Sequence, residues 1–152
     1  MNELKSELIF EYEGEVEFPE VFAPSHVGMR MFYFLKGGTV KGPKLKGILL
    51  QGGGDWPVMR SDGAGEIDAR LVIKTDDNEL IYVYYRGITV MPPEVGMRIQ
   101  TGEKVDPSEY YMRTTPIFET GSEKYAWLNK IICVGVGTFE MGRVSYKVYK
   151  IL

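Results

Sequence analysis

Glu66, Asp68 and Arg70 occupy alternate positions in one run of the chain, and Tyr82, Tyr84 and Arg86 do the same in the next. Residues two apart on an extended strand share a face, with Cα atoms about 7 Å apart. Each triplet therefore projects from one side of a strand. Between the two runs stands the cluster Asp76-Asp77-Asn78, which fits a three-residue hairpin loop with Asn78 in the left-handed conformation. That loop pairs Thr75 with Glu79, Val72 with Tyr82, Arg70 with Tyr84 and Asp68 with Arg86, and lays Glu66 beside Ile88. A two-residue loop would put Arg70 beside Tyr85 and scatter the charges over both faces.

Two carboxylates about 7 Å apart can hold a water between them, as in inverting glycosidases. Arg70 and Arg86 oppose that use. They stabilise the ionised acids, whereas a general acid needs its proton held more tightly. The chemistry left to the set is a carboxylate base, Glu66 or Asp68, with Tyr82 or Tyr84 as hydrogen-bond donor. Isomerisation or cyclisation of a carbonyl compound would suit it. A charge-paired structural cluster would use the same residues without any reaction. Arg86 and Arg113 can clamp a carboxylate or enolate, or join a buried network with Asp68 and Glu119. Trp56 follows Asp55, and Trp127 stands two residues before Asn129; both indoles fit aromatic lids over a barrel mouth, or plain packing. The expected ligand contacts are thus Asp55, Trp56, Arg70, Tyr84, Arg86, Arg113, Trp127 and Asn129, with Glu66, Asp68 and Tyr82 as the catalytic candidates.

Other chemistries find no support in the composition. His26 is the sole histidine, which leaves no zinc site and no Ser-His-Asp arrangement. Cys133 lies in the apolar run IICVGVG and reads as a small buried hydrophobe. With one cysteine no intrachain disulfide forms. Gly52-Gly53-Gly54 lacks the Lys-Ser/Thr and helix of a phosphate loop. No cofactor and no metal are expected. A net charge of −3 gives no electrostatic footprint for nucleic acid, and Lys41, Lys44 and Lys46 read as a solvated strand face. No apolar run approaches the roughly 20 residues of a membrane helix, and the N-terminal residues lack the pattern of a signal peptide. The expectation is a cytoplasmic protein with no membrane partner.

Strand patterns dominate the chain. In residues 8–18, Leu8, Phe10, Tyr12, Val16 and Phe18 alternate with Glu11, Glu13, Glu15 and Glu17, a half-buried antiparallel strand with Gly14 as a candidate bulge. Further strands are expected over 29–35, over 39–50 with a break at Pro43, over 64–75 and 79–90, over 109–119, and over 131–139 and 143–151. Lys36-Gly37-Gly38 reads as a turn, 91–108 as a long loop, and 125–128 as one short helical turn. No helix is long enough to cover a sheet face. The apolar faces must therefore bury one another. The expected fold is all-β: one domain over 1–152, a single antiparallel barrel of about eight to ten strands with little helix. A sandwich is the alternative, and short sequential connections favour the barrel.

Either face of the central hairpin can line such a barrel. The first strand writes its solvent face in glutamates, whereas the hairpin's polar face mixes Val72, Ile88 and two tyrosines among opposite charges. That mixture resembles a ligand wall, so the polar face is read as inward. The aliphatic face would then lie outside and need cover from another subunit, which points to a homo-oligomer.

The runs GGGDWPVMRSDGAGEIDAR, IKTDDNELIYVYYRG, YYMRTTPIFETG and YAWLNKIICVGVG, in this order, resemble the family called domain of unknown function 3237, which the uncharacterised protein family 0311 overlaps. The resemblance spans roughly Gly28 to Leu152. It implies a small antiparallel β-barrel and carries over no catalytic residue. Three functions stay open: binding of a small aromatic or acidic molecule in a polar-aromatic cavity, a cofactor-free isomerase, lyase or cyclase, and a structural role without ligand.

Overall fold

The computed structural model describes residues 3–152. Its strands are β1 (Ser6–Val16), β2 (Glu20–Val21), β3 (Met29–Lys41), β4 (Gly47–Leu49), β5 (Gly54–Asp55), β6 (Val58–Met59), β7 (Ala64–Thr75), β8 (Leu80–Val90), β9 (Tyr111–Glu119), β10 (Cys133–Glu140) and β11 (Arg143–Ile151). One α-helix, α1 (Pro93–Gln100), and two short 3-10 segments, Pro107–Glu109 and Ala126–Lys130, complete the fold. The sheet closes because β1 pairs with both β11 and β3. Around the ring β3 is followed by β4, then β7, β8, β9, β10 and β11. The short β5 and β6 continue β4 as one interrupted strand between β3 and β7. The result is a closed eight-stranded antiparallel barrel with three extra short strands. Closure leaves the ring without free edges.

The β7–β8 hairpin has the expected three-residue loop. Asn78 sits at φ 66°, its N–H donates to the Thr75 carbonyl at 2.9 Å, and Asp68 pairs with Arg86 and Arg70 with Tyr84. Its faces are the reverse of those expected. Ile67, Ala69, Leu71 and Ile73 are buried with Ile81, Val83 and Tyr85, so the aliphatic side is the lumen. Glu66, Asp68, Arg70, Tyr82, Tyr84 and Arg86 lie in the opposite phase, on the outside. The aliphatic set can fill a dry interior without partners, whereas unpaired charges there would lose their hydration. The inference of a subunit covering an aliphatic outer face falls with that assignment.

Other departures have local causes. Lys36-Gly37-Gly38 makes no turn. β3 runs through it with a one-residue bulge, since Glu15 pairs with Gly37 and Val16 with Leu35, and Gly37 takes the φ of 150° that the bulge requires. In β1 the irregularity falls between Leu8 and Phe10 rather than at Gly14. It buries both Ile9 and Phe10 and leaves Leu8 exposed. Phe18 lies beyond the strand and is 78% exposed. The expected loop over 91–108 contains α1, which begins at Pro93 and buries Val95 and Ile99, the i, i+4 pair of one helical face.

The two barrel ends differ. At the end holding the β7–β8 turn, Leu45, Tyr125 and Leu128 are buried over Phe10, Ile73, Ile81 and Val148. The other end is covered in part by Val95, Ile99, Val105 and Tyr110, with the Phe139 N–H donating to the Tyr110 hydroxyl at 2.9 Å. Elsewhere on that end Val16, Tyr33, Asp55, Phe139 and Val144 are only half-buried.

Candidate functional site

Asp55 is the register partner of Tyr33 on one side and of Ala69 on the other. Residues directly opposite in a sheet share a face. Ala69 is 1% exposed inside the barrel, so Asp55 belongs to the inner face. Its Oδ1 accepts the Asp68 backbone N–H at 3.0 Å. Burial pushes its carboxyl up to about 6; the hydrogen bond from Asp68 opposes that rise and the Asp68 charge adds to it.

Three tyrosines fill the barrel centre. Tyr12, Tyr85 and Tyr146 are all buried, with ring centroids 5.2 Å apart for Tyr12 and Tyr146 and 5.4 Å for Tyr85 and Tyr146. Burial raises all three phenols well above their ordinary value, and the Asp55 charge adds to each. Tyr33, nearer the half-open end, packs edge-on against Phe139 at 5.8 Å. Burial and then the Asp55 charge push it up to about 12. Space for Tyr146 comes from the absence of a side chain at Gly137, where a Cβ would stand 2.7 Å from Cε1 of that ring.

The cluster thus joins one carboxyl that burial holds well above the usual carboxylate range to four phenols that burial keeps protonated. The carboxyl can take or give a proton, and the phenols can donate hydrogen bonds to an oxygen that gains charge. Among the described residues no group of three or more His, Cys, Asp or Glu side chains is arranged to hold a metal ion.

Of the residues singled out from the sequence, the structure brings only Asp55 into this cluster. Trp56, its neighbour, is on the outer face, with its ring 4.8 Å from that of Phe32. Arg70 donates to the Tyr82 hydroxyl at 2.6 Å and lies over the Tyr84 ring at 4.5 Å. Glu66 reaches Arg60 at 3.5 Å. Arg86 is exposed. Arg113 lies over the Tyr111 ring at 4.9 Å and donates to the Met112 carbonyl at 3.0 Å. Trp127 and Asn129 belong to the opposite barrel end. Lys44 lies over the Trp127 ring, and the Asn129 amide accepts from the Thr120 N–H and donates to its carbonyl. An open hollow of about 670 Å³ borders Asn129, Tyr82 and Val72, and one of about 700 Å³ borders Trp127 and Lys124; neither includes Asp55.

Sequence reading missed Tyr12, Tyr33, Tyr85, Tyr146 and Phe139 as site residues. The signal was present for three of them. Tyr85 is in phase with Ile81 and Val83, Tyr12 with Phe10, and Tyr146 with Val148. A tyrosine in an otherwise apolar phase brings a hydroxyl into the core that needs a partner.

Fold and interior together define a small antiparallel β-barrel with a polar, tyrosine-rich centre. The chain belongs to the family described as "Protein of unknown function (DUF3237)", which matches residues 4–151. A UPF0311 protein of Clostridium acetobutylicum is 36% identical over 152 residues, 99% of this chain and 96% of that one. The crystal structure of a conserved protein of unknown function from Rhodopseudomonas palustris superposes with a TM-score of 0.94 at 31% identity, covering 100% of both chains. That of a β-barrel-like protein from Acinetobacter baumannii gives a TM-score of 0.85 at 32% identity, covering 100% of this chain and 98% of the other. No helix among the described residues is long and apolar enough to cross a membrane.

Proposed function

We propose that the half-open end of the barrel binds a small, uncharged aromatic or carbonyl compound and moves a proton on it through Asp55, without a cofactor. The observation that carries this reading is the Asp55 carboxyl, raised by burial to about 6 among Tyr12, Tyr33, Tyr85 and Tyr146. A proton carrier works best when its pKa lies near the working pH. The tyrosines supply flat apolar surface and hydroxyl donors for an enol or phenolate oxygen. Isomerisation and ring closure are the reaction classes that need only these parts.

The ligand's charge follows from what the cluster lacks. Arg86 and Arg113, expected to clamp an acidic ligand, lie on the outer face. No Lys or Arg is among the inward residues around Asp55, so a carboxylate entering there would meet the Asp55 charge without a counter-ion. A neutral ligand escapes that repulsion.

The test is hydrogen–deuterium exchange at the carbon next to the carbonyl of a panel of aryl ketones, followed by NMR in D₂O. The wild-type protein is expected to exchange at least one above background, and Asp55→Asn to lose exchange while still binding that ketone. Binding without exchange would reduce the role to that of a carrier. An Asp55 carboxyl that titrates near 4, with neither binding nor exchange, would remove the reading.

A further inference from the structure

We propose that the outer face of β5, β7, β8 and β9 is the surface through which two copies of this chain pair. The outer side of the barrel is written in two styles. Across β1 and β11, Glu11, Glu13 and Glu15 stand opposite Lys147, Ser145 and Arg143, an arrangement suited to water. Across β5 to β9 the outward positions carry aromatic and branched side chains threaded with arginine. The Trp56 ring lies on Phe32, and Arg70 lies over Tyr84 and bonds to Tyr82. Trp56 is 37% exposed and Ile117, the register partner of Tyr84, 52%. Aromatic residues and arginine are the types enriched where proteins meet.

Charge on this face identifies the occupant as a second copy. Glu66, Asp68 and Glu119 share this face with Arg70, Arg86 and Arg113, so it carries both signs of charge and can complement itself. A two-fold axis brings each residue against a different residue of the other chain, and the contact recurs with the roles exchanged. Asp68 and Arg86 are register partners, yet no ion pair joins them. Asp68 Oδ1 is covered by its own chain, but the residue as a whole is only half-buried, and Arg86 is exposed. Arg86 of a second copy, laid over the face, would set its charge against the outward side of the Asp68 carboxylate, and the reverse contact would form symmetrically.

Four strand widths by about eight residues give roughly 19 by 26 Å, or about 500 Å² in projection. That is below the roughly 800 Å² per partner of a standard interface and fits a small, reversible one. This surface lies across the barrel wall from the Asp55 cluster, so the pairing stands independently of the proton-transfer reading.

Sedimentation equilibrium of the purified chain over a micromolar concentration series tests the proposal. A dimer of 17.3 kDa chains is expected. Arg86→Glu sets like charge against Asp68 of the second copy, and Ile117→Lys places a charge on the exposed rim. Each is expected to raise the dimer dissociation constant at least tenfold, with the near-ultraviolet circular dichroism of the buried tyrosines unchanged. A wild-type chain that stays monomeric throughout, or a dimer that neither substitution weakens, would overturn the assignment. Because Ile117 is half exposed and bonds to nothing through its side chain, its substitution reports on the face even if Arg86→Glu disturbs folding.

Discussion

The Asp68 backbone N–H donates to the Asp55 carboxylate at 3.0 Å, which links two acids on opposite faces of the same barrel wall. The Asp68 side chain points outward, and its charge still raises the Asp55 carboxyl. Asp68→Asn keeps the backbone donor and removes the charge. The Asp55 carboxyl is therefore expected to titrate lower in that variant, yet to stay above an ordinary aspartate, because burial is the larger cause. Carbon-13 NMR titration of the Asp55 carboxyl measures this. An unchanged midpoint would show that the two acids do not sense each other.

Asp55→Asn has an opposite signature in stability. The folded carboxyl binds its proton more tightly than the unfolded one, at about 6 against 3.8. Wild-type stability therefore falls as the pH rises from about 4 to about 6 and levels off above. At about 1.36 kcal/mol per pH unit this amounts to roughly 3 kcal/mol. Asn carries no charge at any pH. The variant is expected to be the more stable protein above pH 6, with its advantage shrinking as the pH drops towards 4. Urea unfolding at several pH values reads the crossover, and parallel curves for the two proteins would contradict it.

Asp77 works with the other sign. Lys124 Nζ donates to its Oδ2 at 2.8 Å, and the Tyr125 hydroxyl to its Oδ1 at 2.8 Å. The lysine, then Thr75, then Tyr125 hold this carboxyl well below the usual range. Its contribution is complete above the unfolded value near 4 and is lost as the pH falls below it. Asp77→Asn is expected to flatten the acid limb of the thermal melting profile and to loosen Tyr125, which closes that end of the barrel. A profile identical to wild type below pH 4 would mean the contact contributes nothing.

Turn chemistry made the β7–β8 register legible, because Asn78 tolerates a left-handed backbone where few residues do. The barrel class followed from strands that had no helix to cover them. Orientation was harder. Tyrosines and arginines beside carboxylates occur both in ligand walls and on outer surfaces, and period two assigns residues to a face without saying which face is dry. The cost of burying Glu66, Asp68, Arg70 and Arg86 together would have decided it. Asp55 was legible only as a polar residue beside a tryptophan, since β5 has two residues and shows no period. α1 was hidden by Pro92, Pro93, Gly96 and Gly102, although Pro at the first helical position and the Val95–Ile99 spacing are helix signals.

Gly137 decides whether the phenol cluster can exist. A Cβ there would stand 2.7 Å from Tyr146 Cε1, 2.9 Å from Met112 Cγ and 3.0 Å from Met112 Sδ. Met112 is flexible and can give way, but Tyr146 is held between Tyr12 and Tyr85. Gly137→Ala is therefore expected to push Tyr146 out of register and to cost about 1–3 kcal/mol, the usual range for overpacking a core. Repacking around Tyr146 changes how far the interior shields Asp55 from water, and burial is the largest cause of its raised carboxyl, so the midpoint of Asp55 should change along with stability. Gly121→Ala, at a loop position where an added Cβ meets nothing within 4 Å, serves as the control. Chemical denaturation and the Asp55 titration, run on both variants, separate a packing defect at the barrel centre from a general intolerance of alanine. A Gly137→Ala protein as stable as the control, with Asp55 unmoved, would show that the interior has room that the structure denies it.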